Sequence, residues 1–305
     1  MTDTRPAILL LGPDGQVGWE LRRALAPLGR LSCAGRQGAE RPLDLTDLGA
    51  LEALLEEVRP HLLVNATAYT AVDAAESEPE LARRINAEAV ALMGRKGAEL
   101  GFGVLHYSTD YVFSGEGDTP WKESDPPAPQ SVYGRTKLEG EQALARSGAD
   151  HLILRLAWVY AARGRNFLLT MRRLMAERER LGVVADQIGS PTWARHIAEA
   201  SAQLLAQCRA GDGFAFGARG GLYHLTAAGR ASWHDFACAI AEGLGAPCVV
   251  EPITSADYPT PARRPAYSVL DNGKLQRTFG LALPHWREGL ARCLEELPPH
   301  GPAQG

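Results

Sequence analysis

The chain has 305 residues, of which 45% are hydrophobic and 22% charged, a formal net charge of -4 and a sequence pI near 6.1. This is the composition of an ordinary globular protein, long enough for one large domain or a domain with a smaller lobe, and it offers no basic field to draw nucleic acid or a membrane surface. No apolar run reaches the length of a membrane span, residues 1–6 hold no signal-peptide core, and Cys33, Cys208, Cys238, Cys248 and Cys293 lack a zinc spacing; the expectation is a cytoplasmic enzyme with reduced thiols and no evident metal ligand set.

The apolar run Ala7–Leu11 predicts a buried parallel strand. It ends in Gly12, and Gly12, Gly15 and Gly18 follow a G-x-x-G-x-x-G spacing ahead of an amphipathic stretch over 19–28. Strand, glycine turn and helix together form a cradle in which a pyrophosphate can approach backbone N–H groups at a helix start; a plain glycine-rich turn is the alternative. A second strand over 30–34 leads to Gly35 and Arg36. A site for NAD would offer a carboxylate near this point and a site for NADP a cation, so Arg36 is the candidate for the 2′-phosphate of NADPH, the alternative being a solvated loop residue. Asp44 and Leu45 precede a helix over 48–58, which Thr46 or Asp47 can cap; that leaves Asp44 free at a position where an adenine could lie.

A third strand over 61–64 opens onto Ala68, Tyr69 and Thr70, small or polar residues at the carboxyl end where an open parallel sheet binds ligands. A long helix over 80–100 follows, with Glu76, Glu78 and Glu80 read as a solvated acidic cluster near its start. A strand over 102–107 delivers Ser108, Thr109 and Asp110, with His106 read as a packed core residue. The Gly- and Pro-rich stretch over 114–130 is a loop. A helix over 131–147 then carries Tyr133 and Lys137, four residues apart and so on one face. A cation beside a phenol favours the phenolate, so the pair predicts a tyrosine pKa lowered toward neutrality and a general acid; Thr109 is the hydroxyl that would share a carbonyl oxygen with it.

A strand over 151–156 completes an alternation that predicts an α/β, Rossmann-like doubly wound parallel sheet. The division expected is a dinucleotide-binding domain over 1–160 and a smaller C-terminal substrate-binding lobe over 161–297. Segments at about 181–226 are expected to return to the first domain, and 298–305 to form a disordered tail.

These motifs together resemble the extended short-chain dehydrogenase/reductase superfamily, and within it the branch that reduces nucleotide-linked 4-keto sugars; the likeness covers almost the whole chain. The resemblance implies that Tyr133 is the catalytic acid, that Lys137 lowers its pKa and holds the nicotinamide ribose, and that Thr109 completes the triad. It also implies that Gly15, Gln16, Val17, Asp44, Leu45, Ala68, Tyr69, Thr70 and Tyr107 line the cofactor, and that Thr109, Asp110 and Trp158 touch the sugar. The reaction implied is reduction of the C4 ketone of dTDP-4-dehydro-6-deoxy-L-mannose to dTDP-L-rhamnose, with NADPH preferred and NADH the second candidate. Arg263 and Arg264 are candidates for the substrate diphosphate, the alternative being surface charges. Magnesium and a homodimer enter through the resemblance alone. Two other activities stay open: a nucleotide-sugar epimerase or dehydratase, and a catalytically silent NADP-binding regulatory subunit.

Overall fold

The computed structural model describes residues 5–36 and 39–298. The expected tail, apart from Pro298, lies outside the described residues. Seven strands make the main sheet: β1 (Ala7–Leu11), β2 (Arg30–Gly35), β3 (Arg41–Pro42), β4 (Leu62–Asn65), β5 (Gly103–Thr109), β6 (His151–Leu156) and β7 (Gly221–His224). Their order is β7-β6-β5-β4-β1-β2-β3, and every neighbouring pair is parallel. The chain walks outward from β1 through β3, then crosses back to β4 and walks the other way. That reversal leaves a crevice at the carboxyl ends of β1 and β4.

The inner strands are apolar at successive positions because both faces are covered. Ile8, Leu10, Val64 and Leu105 pack on one side with Leu21 and with Ile197, Leu204 and Leu205 of the helix Ala194–Gln207. Leu9, Leu11, Leu63 and Val104 pack on the other with Leu51, Leu55, Leu92 and Leu144. A separate core of Leu168, Leu181, Val183, Phe236, Ile240 and Leu290 forms the smaller lobe, where Arg180–Val184 pairs in parallel with Val249–Ile253.

Several boundaries differ from expectation. The first helix is Gln16–Ala24, starting three residues earlier than its apolar pattern suggested and stopping ahead of Pro27. The helix expected over 80–100 is three pieces, Pro79–Arg83, a π-helical turn Arg84–Glu88 and Ala89–Leu100. Within that turn Asn86 accepts from the Tyr69 N–H at 2.9 Å and donates to the Tyr69 carbonyl at 3.2 Å, a contact that apolar periodicity does not encode. Leu181 and Val183 belong to the lobe, so the return to the main sheet begins at about residue 194. Leu275 and Phe279, expected in the lobe, pack on the main sheet's core. Neither the helix Gly273–Phe279 nor the strand Val249–Ile253 was anticipated, the one being short and the other interrupted by Glu251 and Pro252.

Candidate active site

The glycine turn lies at the crevice. Gly12 has φ +76°, and a Cβ there would stand 2.8 Å from Thr67 Cγ2. A Cβ on Gly18 would stand 1.9 Å from the Gly12 carbonyl oxygen, so the turn can close against the helix only without one. Gly15 is different: its Cβ would meet the Gly12 carbonyl oxygen at an ordinary 3.5 Å, so the fold itself leaves room at this position. Gly15 is the N-cap and offers no side-chain acceptor to the helix. The N–H groups of Gln16, Val17 and Gly18, which have no intrahelical partner by position, therefore form a cradle suited to a pyrophosphate.

Arg36 is exposed just past β2, close enough to Asp44 to help hold its carboxyl below the usual range. The larger cause of that lowering is Thr46: its N–H and hydroxyl each donate to Asp44 Oδ1 at 2.9 Å. Asp44 is thus part of a local turn and not the free residue expected. Leu45 and Tyr107, both expected along the cofactor, send their side chains into the two cores. The Tyr107 hydroxyl donates to Ser201 at 2.8 Å, and its backbone carbonyl accepts from Lys137 Nζ at 2.6 Å. Ala68 and Tyr69 are half-buried and Thr70 exposed beyond the end of β4. The Tyr69 hydroxyl donates to Glu78.

Thr109 is the last residue of β5, and the helix Val132–Arg146 brings Tyr133 and Lys137 beside it. Ser131 caps that helix by accepting from the Gly134 N–H at 3.1 Å. Glu76, expected in a solvated cluster, accepts from the Val132 N–H at 2.8 Å, so an acidic side chain from a distant segment completes the cap. The Tyr133 phenol does not have the lowered pKa expected of it. Burial pushes it up to about 12, with the Thr109 hydroxyl opposing and the Asp110 charge adding to the rise. Lys137 does not lower it in this geometry: its Nζ bonds the Tyr107 carbonyl at 2.6 Å and faces His106 Nε2 at 3.3 Å. Burial lowers Lys137 to about 8 against the pull of Glu141. Asp110 is also buried, which raises its carboxyl to about 6 although the Ser268 and Thr109 hydroxyls favour the charge. Its Oδ1 accepts from Thr109 Oγ1 at 3.0 Å.

Trp158 has φ +48°, a costly conformation for a bulky residue that the surroundings must enforce. Its ring stacks on Trp233 with centroids 3.5 Å apart and lies over Gly189, where a Cβ would fall 2.3 Å from Trp158 Cε2. Arg264 proves not to be a free cation: it forms a two-pronged pair with Asp73 at 2.9 and 2.8 Å. Arg263 is exposed, with Glu116 at 3.6 Å. Among the described residues no group of three or more His, Cys, Asp or Glu could hold a metal ion, so magnesium keeps only the support of the resemblance. Among them, too, no helix is long and apolar enough to cross a membrane. Asn65, Asn86 and His106 were not expected at the site; lone polar residues in apolar runs carry no spacing signal.

The family model described as RmlD substrate binding domain matches residues 6–298. The chain is 47% identical over 304 residues to a dTDP-4-dehydrorhamnose reductase of Burkholderia thailandensis, covering 95% of this chain and 98% of that protein. It is 46% identical over 296 residues to the Escherichia coli K12 protein of the same name, covering 95% and 97%. Among solved structures it resembles a dTDP-4-dehydrorhamnose reductase from Bacillus anthracis in complex with NADP, with TM-score 0.88, 32% identity and coverage of 96% and 99%.

Proposed function

The chain belongs to the RmlD substrate binding domain family, that of the dTDP-4-dehydrorhamnose reductases, and from that membership we propose how its own residues reduce the C4 ketone of dTDP-4-dehydro-6-deoxy-L-mannose to dTDP-L-rhamnose. The uncapped N–H groups of 16–18 and the space at Gly15 fit the pyrophosphate of a nicotinamide dinucleotide. Arg36, exposed at the end of β2, is suited to the 2′-phosphate of NADPH. When bound, the reduced nicotinamide supplies the hydride.

The ketone oxygen is held between the Thr109 and Tyr133 hydroxyls. Turning its O–H away from Asp110, Thr109 donates to that oxygen and polarises the carbonyl. Tyr133 gives its proton to the same oxygen as negative charge builds there, and Lys137 stabilises the phenolate left behind. A phenol held near 12 keeps its proton until an alkoxide forms beside it, which is the timing the reaction needs. Trp158, fixed by its stack on Trp233, offers a flat apolar wall to the sugar. Arg263 remains the candidate for the substrate diphosphate, whereas Arg264, committed to Asp73, holds the segment that presents it.

The observation that carries this reading is the convergence of Thr109, Tyr133 and Lys137 at the carboxyl end of β5. Mixing the protein with NADPH and the keto sugar nucleotide and following nicotinamide absorbance tests it. Tyr133→Phe should lower kcat by about 10²- to 10⁴-fold, the usual worth of a positioned acid. An unchanged rate would remove Tyr133 from the reaction.

A further inference from the structure

His106 is wholly buried in β5 and has no part in the reaction as described above. Its Nδ1 lies 3.0 Å from Asn65 Nδ2 in β4, and its Nε2 lies 3.3 Å from Lys137 Nζ. Its neighbours decide where its proton sits. Asn65 Oδ1 accepts from the Thr67 backbone N–H at 3.1 Å and from the Thr67 hydroxyl, so the other terminal atom of Asn65 is its NH2, a donor. A donor facing Nδ1 requires a lone pair there. A neutral imidazole with its lone pair on Nδ1 carries its hydrogen on Nε2, and burial keeps this ring neutral. The Nε2–H therefore points at Lys137. Against an ammonium it would set N–H against N–H; against an amine it would donate to the lone pair, while the amine still donates to the Tyr107 carbonyl.

We propose that His106 is a positioning residue that sets the charge of Lys137: Asn65 holds the imidazole proton on Nε2, and that proton makes the neutral amine the better partner. The proposal rests on Lys137 serving the reduction. Other charged groups face this pair less directly. Glu141, one turn further along the same helix, is held by Arg155 of β6 at 2.9 and 2.6 Å. Asp110 follows β5 with its Oδ1 on Thr109 and its charge acts on Tyr133, and β4 contributes the uncharged Asn65. Lys137 thus holds its proton weakly in the resting site. It takes that proton firmly once a phenolate appears at Tyr133, since an adjacent negative charge favours the ammonium.

Long-range proton–nitrogen spectra of the cofactor-free protein should find the His106 hydrogen on Nε2; finding it on Nδ1 overturns the proposal, and this reading needs no variant. Lysine labelled with carbon-13 at Cε gives the Lys137 titration, its signal assigned by absence in Lys137→Met. In His106→Gln, whose carbonyl can accept from an ammonium, the Lys137 midpoint should rise by about one pH unit, a tenfold gain in proton affinity. The kcat/KM pH midpoint belonging to Lys137 should move the same way. An unmoved lysine midpoint in folded His106→Gln overturns the proposal. Both spectral readings are made without substrate, so their failure is distinct from failure of the reductase reading, which falls only if wild type does not oxidise NADPH with the keto sugar.

Discussion

Asp110 shows what burying a carboxyl beside Thr109 costs in stability. A carboxyl buried beside Thr109 and raised to about 6 from its ordinary 3.8 binds its proton more tightly folded than unfolded. Its contribution is therefore fully present below pH 3.8 and is lost as pH rises through about 6, the opposite of a paired surface carboxylate. Asp110→Asn removes this dependence and should stabilise the protein at pH 8 by up to about 3 kcal/mol, read as a higher denaturation midpoint, with wild type and variant converging toward pH 4. A variant less stable at pH 8 would show that the Thr109 hydrogen bond outweighs the buried charge. The same burial keeps Tyr133 protonated. The sequence offered Tyr133 as the candidate acid but not its resting pKa, because Tyr-x-x-x-Lys spacing says that two side chains share a face and not where the lysine nitrogen points.

Among the elements, the glycine turn separates what folding needs from what a ligand needs. Gly18 is required by the protein itself, since a Cβ would enter the Gly12 carbonyl, whereas Gly15 has ordinary clearance. Gly18→Ala should lower the melting temperature with no cofactor present. Gly15→Ala should fold with a melting temperature close to wild type but bind NADPH at least about tenfold more weakly, because a methyl group occupies the cradle; titration calorimetry and thermal melts together read both effects. Equal NADPH affinity in Gly15→Ala would place the pyrophosphate elsewhere. The helix Val132–Arg146, which carries Tyr133 and Lys137, shows a complementary dependence, its start held by nearby Ser131 and by distant Glu76. The sequence predicted Ser131 inside the helix, and no local spacing encodes the contact from Glu76.

For the molecule as a whole, a cofactor lying across the sheet's carboxyl edge should act as a clamp between domain and lobe. Asn166 of the lobe already donates to Gln16 in the first turn of the helix at 3.0 Å. Binding to the folded state alone stabilises by about 2.7 kcal/mol at a hundredfold excess over Kd, so NADPH should raise the melting temperature. If Arg36 holds the 2′-phosphate, NADPH should raise it more than NADH does, and Arg36→Ala should erase the difference. A difference that survives in Arg36→Ala would remove this residue from cofactor selection.

The alternation of strands and helices over 7–156, the glycine cradle, the tyrosine–lysine helix and the strand end carrying Thr109 were legible in the chain, because each is a local pattern: apolar runs of strand length, a turn that needs glycine, two side chains one helical turn apart. Tertiary structure alone decided the rest. It turned Tyr107 and Leu45 into the core, gave Arg264 to Asp73, broke a continuous apolar pattern with a π turn at Asn86, and put His106 between Asn65 and Lys137. Each of these outcomes depends on partners far apart in sequence. Burial and competition for hydrogen bonds arise only when such segments meet, and they set the charge and direction of a side chain whose identity was plain from the start.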